Sequence, residues 1–173
     1  GTRLIRREWV NSRGAILRFD RSAMEVRVLD LQECPKMDVA IAAFVRGALA
    51  SMSERVLEGS LQLPDRRLLL ADYRQAVAKG RSAPVSTQLL RGKRRARTAR
   101  ALLEGLLDEA GRHLSDAERP YLRLVEQRLA RGNLAERILA RVGRSGGPRR
   151  RDAIVDLYGE LSLCLETNTP WPG

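Results

Sequence analysis

The spacing of apolar positions changes along the chain. Residues 15–19 and 24–31 are short runs of bulky and β-branched side chains with partial alternation, and Asp20, Arg21 and Ser22 between them have turn character. This pattern predicts an antiparallel hairpin. From residue 37 the period lengthens: Val39, Ala42, Ala43, Arg46, Leu49 and Ala50 recur at three- and four-residue steps, with Pro35 placed for a first turn. A mostly buried helix over 37–52, packed against the hairpin, is expected.

The remainder keeps the helical period. Residues 65–79 carry Leu68, Leu69, Tyr73, Ala76 and Val77, with Asp65 as N-cap and Gly80 beyond the end. Further helices are predicted over 97–110, 118–131, 134–142 (capped by Asn133) and 152–166, with a break at Gly146, Gly147 and Pro148. Ser115 and Glu118 have the spacing of a capping box. The expected fold is α+β: a short antiparallel hairpin followed by five to six helices. Its organisation is read as a hairpin with a buried helix (1–53), a helical region (54–166) and a loop-like tail (167–173). Two strands alone make a poor sheet. The hairpin must therefore lie wholly on helices or belong to a larger sheet.

Composition excludes several chemistries. The 173 residues are 43% hydrophobic and 31% charged, the balance of a globular chain. Cys34 and Cys164 are the only cysteines and His113 the only histidine, which argues against a disulfide framework, a thiolate zinc site or a histidine-dependent nucleophile. His113, between Gly111 and Ser115, is expected in a solvated turn. No run of apolar residues is long enough for a membrane span, and residues 1–7 lack the apolar stretch of a signal peptide, so a cytoplasmic protein is expected. The net charge is +11, and residues 91–100 and 144–151 carry ten of those charges without a single acid. They read either as solvated Arg-rich surface or as a phosphate-tracking patch for nucleic acid. Aromatic residues amount to only 4%, which leaves little for base stacking.

The most informative stretch is 9–33. On the second strand Met24, Val26 and Val28 share one face, and Glu25 and Arg27 the other. Arg18 on the partner strand can reach that second face, and Arg13 precedes the first strand beside Gly14. One acid among several arginines suits polyphosphate held by guanidinium groups, with the carboxylate on a bridging magnesium ion. It also suits an ordinary Glu25–Arg27 pair on a solvated strand. The residues alone leave both readings open.

R-G-A-I-L-R at 13–18, followed by E-V-R at 25–27 and a helix of small apolar residues, resembles the C-terminal catalytic segment of glutamine synthetases. The combination R-E-W-V-N-S-R-G-A-I, E-V-R-V-L-D-L-Q-E-C-P and D-V-A-I-A-A is more similar still to the glutamate–cysteine ligase type 2 and carboxylate–amine ligase branch of that superfamily. The likeness is sharp over residues 7–50 and weaker beyond. R-G-N-L-A-E-R-I at 131–138 also resembles that branch. The resemblance implies a larger glutamine-synthetase-like sheet, with Arg13 and Arg18 on nucleotide or transferring phosphate, Glu25 on metal, and Arg27, with Arg18, in a catalytic role. It implies ATP and Mg2+ as cofactors and an amide formed through an acyl phosphate from a small carboxylate and an amine. The link from Arg18 to Glu25 is shorter than in glutamine synthetase, and Ala23 replaces an arginine that precedes that family's E-V-R. The segments that such a ligase carries before this one are expected from a missing N-terminal portion or a partner chain, without which the chain is expected to be inactive. The competing expectations are a basic helical nucleic-acid-binding module and a non-catalytic interaction remnant.

Overall fold

The computed structural model describes residues 14–92, 96–143 and 148–173; Arg13 lies outside them. Among the described residues a two-stranded antiparallel sheet is followed by six α-helices, an α+β fold. The chain divides into two compact units between Leu31 and Gln32.

In the first unit β1 (Ala15–Arg18) pairs with β2 (Ala23–Val26), placing Ile16 opposite Glu25, Leu17 opposite Met24 and Arg18 opposite Ala23. A single 3-10 turn, Phe19–Arg21, joins them and is closed by Ser22 in the left-handed region at φ 48°. The turn falls where Asp20, Arg21 and Ser22 predicted it. β2 ends at Val26, whereas the pattern predicted a strand to residue 31. One more bond, Arg27 N to Gly14 O at 2.8 Å, carries the pairing a residue beyond Val26. Gly14 itself is closely approached, since a Cβ there would lie 2.9 Å from Val28 Cγ1.

The second unit is built on α1 (Pro35–Leu57), which packs on α3 (Ala99–Ala110) and α4 (Arg119–Arg131). Pro35 sits in the first turn, where its missing N–H costs no helical bond. Ala40, Phe44 and Ala48 of α1 meet Leu106 and Ala110 of α3 and Val125 of α4. The small residues bring the backbones together, and a Cβ on Gly47 would stand 2.8 Å from the Ala110 carbonyl oxygen. α1 outruns its predicted end at residue 52, and Arg55 in its last turns is buried against Glu109 of α3 (3.0 Å).

α2 (Arg66–Lys79) starts at Asp65, whose side chain accepts from Arg67 N at 2.7 Å, and stops at Gly80 with φ 56°. It is held by Asp72, which accepts from the Ser86 and Thr87 backbones and the Thr87 hydroxyl. Its apolar positions Leu69, Tyr73 and Val77 remain exposed. α5 (Leu134–Val142) carries a complete capping box between Asn133 and Glu136. Only half of the box predicted at Ser115 forms: Glu118 accepts from the Ser115 backbone and hydroxyl in a turn that precedes α4. α6 (Pro148–Thr167) begins earlier than residue 152, consistent with the preference of proline for a first helical turn. Val142, Leu157, Cys164 and Trp171 form a second core between α5, α6 and the tail. The tail has no regular structure, yet Trp171 is only 3% exposed. No helix among the described residues is long and apolar enough to cross a membrane.

Candidate functional site

The alternation of β2 sends Glu25 and Arg27 to the same face of the hairpin, and the register places Arg18 diagonally across from Glu25. Glu25 is held from both sides. Arg27 Nε donates to its Oε1 at 2.8 Å, and Arg18 Nη1 donates to its Oε2 at 3.3 Å. Arg18 also binds Asp20 through two contacts, Nε to Oδ1 at 3.3 Å and Nη2 to Oδ2 at 3.4 Å, and Arg21 Nε stands 3.6 Å from the same carboxylate. The result is an alternating row, Arg27, Glu25, Arg18, Asp20 and Arg21. Asp20 is the member that sequence spacing did not single out as more than a turn residue. Its link to Arg18 arises because the 3-10 turn folds residue 20 back beside residue 18.

The electrostatics of the row reinforce themselves. The hydrogen bond from Arg27, aided by the charge of Arg18, holds the Glu25 carboxyl below the ordinary carboxylate range, against the opposing effect of desolvation. Arg18 does the same to Asp20, and Asp20 in turn holds the Arg18 guanidinium above its ordinary value. The Arg18 guanidinium and the carboxylates of Asp20 and Glu25 are therefore each held in the ionised form by their partners. The Glu25 side chain is 40% exposed, so a ligand can reach it from solvent. On the opposite face Leu17 and Met24 are also exposed, and no third strand joins the sheet among the described residues.

An excess of guanidinium groups around a reachable carboxylate can exchange partners with an incoming polyphosphate. A magnesium ion usually takes one or two protein carboxylates and completes its shell with phosphate oxygens and water. Glu25 fits the role of one such ligand. Among the described residues no group of three or more His, Cys, Asp or Glu comes together to hold a metal.

The other residues weighed from the sequence lie in the helical unit. His113 lies in a 3-10 turn with Nε2 3.6 Å from Glu54, its side chain more sheltered than a solvated turn implies. Cys34 and Cys164 are both free and buried, and burial pushes the Cys164 thiol up. In the basic segment 91–100, Arg91 pairs with Glu54 and Arg100 with Glu104. Residues 93–95 and 144–147 lie outside the described residues.

Comparison with known proteins bears on the whole chain. The family model described as glutamate–cysteine ligase family 2 (GCS2) matches residues 2–158, well past the 7–50 stretch where the motif likeness is sharp. A protein of Archaeoglobus fulgidus, described as uncharacterized, is 36% identical over 168 residues, covering 97% of this chain and 39% of the relative. The chain thus spans about two fifths of the length of that relative. No solved structure matches.

Proposed function

The chain belongs to glutamate–cysteine ligase family 2, and from that premise we propose that it is the C-terminal catalytic segment of an ATP-dependent carboxylate–amine ligase. The observation that carries this reading is the clasp of Glu25 between Arg18 and Arg27 on a solvent-accessible strand face. In the reaction a substrate carboxylate oxygen attacks the γ-phosphorus of ATP and ADP leaves. The amine then attacks the acyl carbon of the resulting acyl phosphate, inorganic phosphate departs, and the amide remains.

Each member of the clasp has a task in that chemistry. Arg18, with Arg13 five residues before it in sequence, binds the nucleotide phosphates, and Arg18 and Arg27 neutralise charge on the transferring phosphoryl group. Both can do so by handing over the hydrogen bonds they now give to Glu25, which frees the carboxylate oxygens. Magnesium, when bound, draws charge from the phosphate oxygens, and Glu25 would be one of its ligands. Neither step asks for a thiol or an imidazole. The remaining metal ligands and the rest of the nucleotide pocket belong to the other catalytic portion, supplied by the same polypeptide or by a partner chain. The site of action is the cytoplasm, where ATP is available.

The test is a phosphate-release assay with ATP, magnesium and panels of carboxylates and amines. Protein of the relative's full length should release phosphate in step with amide and only when acid and amine are both present, while the 173-residue chain alone should release none. Phosphate release by the full-length protein that ignores the amine, or amide formation without ATP, would overturn the proposal.

A further inference from the structure

The two acids of the hairpin row are held differently. Glu25 receives one bond from each of two arginines, Arg27 Nε to Oε1 and Arg18 Nη1 to Oε2. Asp20 receives two bonds from a single arginine, Arg18 Nε to Oδ1 at 3.3 Å and Arg18 Nη2 to Oδ2 at 3.4 Å. Its carboxylate therefore lies along the Nε edge of the guanidinium, as a two-pronged pair. The outer end of Arg18, formed by Nη1 and Nη2, is left to face Glu25 and still has hydrogens to give.

That division matters once an anion arrives. In the reaction proposed above, Arg18 passes its bond with Glu25 to a phosphate oxygen, and a long side chain that loses its partner is free to change rotamer. Among the described residues Asp20 is then what still holds the guanidinium, by an edge that the phosphate does not need. Stability alone does not account for the pair, since Asp20 is exposed and pairs of that kind add little to folding. The link is nonetheless wound to form it. Phe19–Arg21 makes a single 3-10 turn closed by Ser22 at φ 48°, a left-handed backbone that a residue with a Cβ adopts at a cost. Arg21 Nε, 3.6 Å from Asp20 Oδ2, backs the same carboxylate.

We propose that Asp20 is a positioning residue for Arg18: it grips the Nε and Nη2 edge and keeps the outer end of the guanidinium aimed at the phosphoryl group while Glu25 turns to magnesium. The identity of the anion rests on the ligase reading. The grip itself does not, and the two are tested separately.

The grip is read in the 173-residue chain by NMR. The Arg18 Nε–H resonance should exchange with solvent faster in Asp20→Asn, whose side chain carries no charge and offers a single acceptor; an unchanged exchange rate would overturn the proposal whatever the reaction. The role is read as kcat/KM for ATP in protein of the relative's full length, through a double-mutant cycle with Arg18→Lys, which keeps the charge and lacks the two-pronged edge. Asp20→Asn alone should lower kcat/KM for ATP about tenfold, with the KM for the amine and the melting temperature unchanged. In the Arg18→Lys background the same substitution should change it by less than about twofold. An equal loss in both backgrounds would mark Asp20 as a structural turn residue and overturn the proposal. Arg18→Lys separates the two readings: a large loss there beside none in Asp20→Asn would overturn the positioning role and leave the ligase reading standing, whereas no loss in Arg18→Lys would overturn the catalytic clasp and the positioning role with it.

Discussion

Arg27 donates from Nε to Glu25 Oε1 across 2.8 Å, from a position two residues further along the same strand. A strand repeats its facing every second residue, so the contact is local and does not wait on the rest of the fold. Arg18, reached through the hairpin register, supplies the second hold on Glu25.

The first prediction concerns pH. Because both arginines favour the ionised form, the folded-state pKa of Glu25 lies below its unfolded value. Its contribution to stability is therefore fully present above the unfolded pKa and is lost as the pH falls through the folded one. A carboxyl-carbon NMR titration should place the Glu25 midpoint below that of an unstructured glutamate, and Arg27→Gln should raise it. An unchanged midpoint in Arg27→Gln would show that the contact does not persist in solution.

The second prediction concerns helix packing. Gly47→Ala gains at most about 1 kcal/mol of helix propensity, yet its new methyl meets the Ala110 backbone oxygen at 2.8 Å, an atom that cannot swing aside. Overpacking of this kind costs about 1–3 kcal/mol. Urea unfolding should show a net loss for Gly47→Ala. Gly105→Ala, which meets the Cδ and Cγ atoms of the Leu90 side chain and no backbone, should lose less.

The third concerns the Arg55–Glu109 pair, in which both side chains are buried and Ser51 and the Arg91 backbone N–H also donate to Glu109. Glu109→Ala leaves a buried guanidinium without its counter-ion and should cost about 3–5 kcal/mol in equilibrium unfolding, much of it recovered when Arg55→Met is added. A loss near that of an exposed pair, below about 1 kcal/mol, would contradict this assignment.

What the sequence made legible was local. The caps at Asp65 and Asn133, the stop at Gly80 and the turn at Asp20–Ser22 are set by chemistry within a few residues, and the structure has each of them. The clasp of Arg18, Glu25 and Arg27 was legible for the same reason. The extent of β2 was not: the apolar pattern runs on to residue 31, while the strand ends at Val26. Glu33 and Arg128 stand 95 positions apart and Arg55 and Glu109 54 apart, separations at which no periodicity signals a pair. Trp171 sits in a tail of turn-forming residues, and only the cleft beside α5 and α6 explains its burial.

The most direct measurement of the central claim is the turnover number, in the proposed amide-forming reaction, of protein of the relative's full length with single substitutions in the clasp. Glu25→Gln and Arg27→Lys remove, respectively, the metal-binding charge and the fork geometry while keeping the size of each side chain. If the clasp handles the transferred phosphoryl group, each should lower kcat by about a hundredfold or more, with the melting temperature unchanged. Turnover within a factor of a few of the parent protein, with folding intact, would show that Arg18, Glu25 and Arg27 form a surface ion pair network and not a catalytic site.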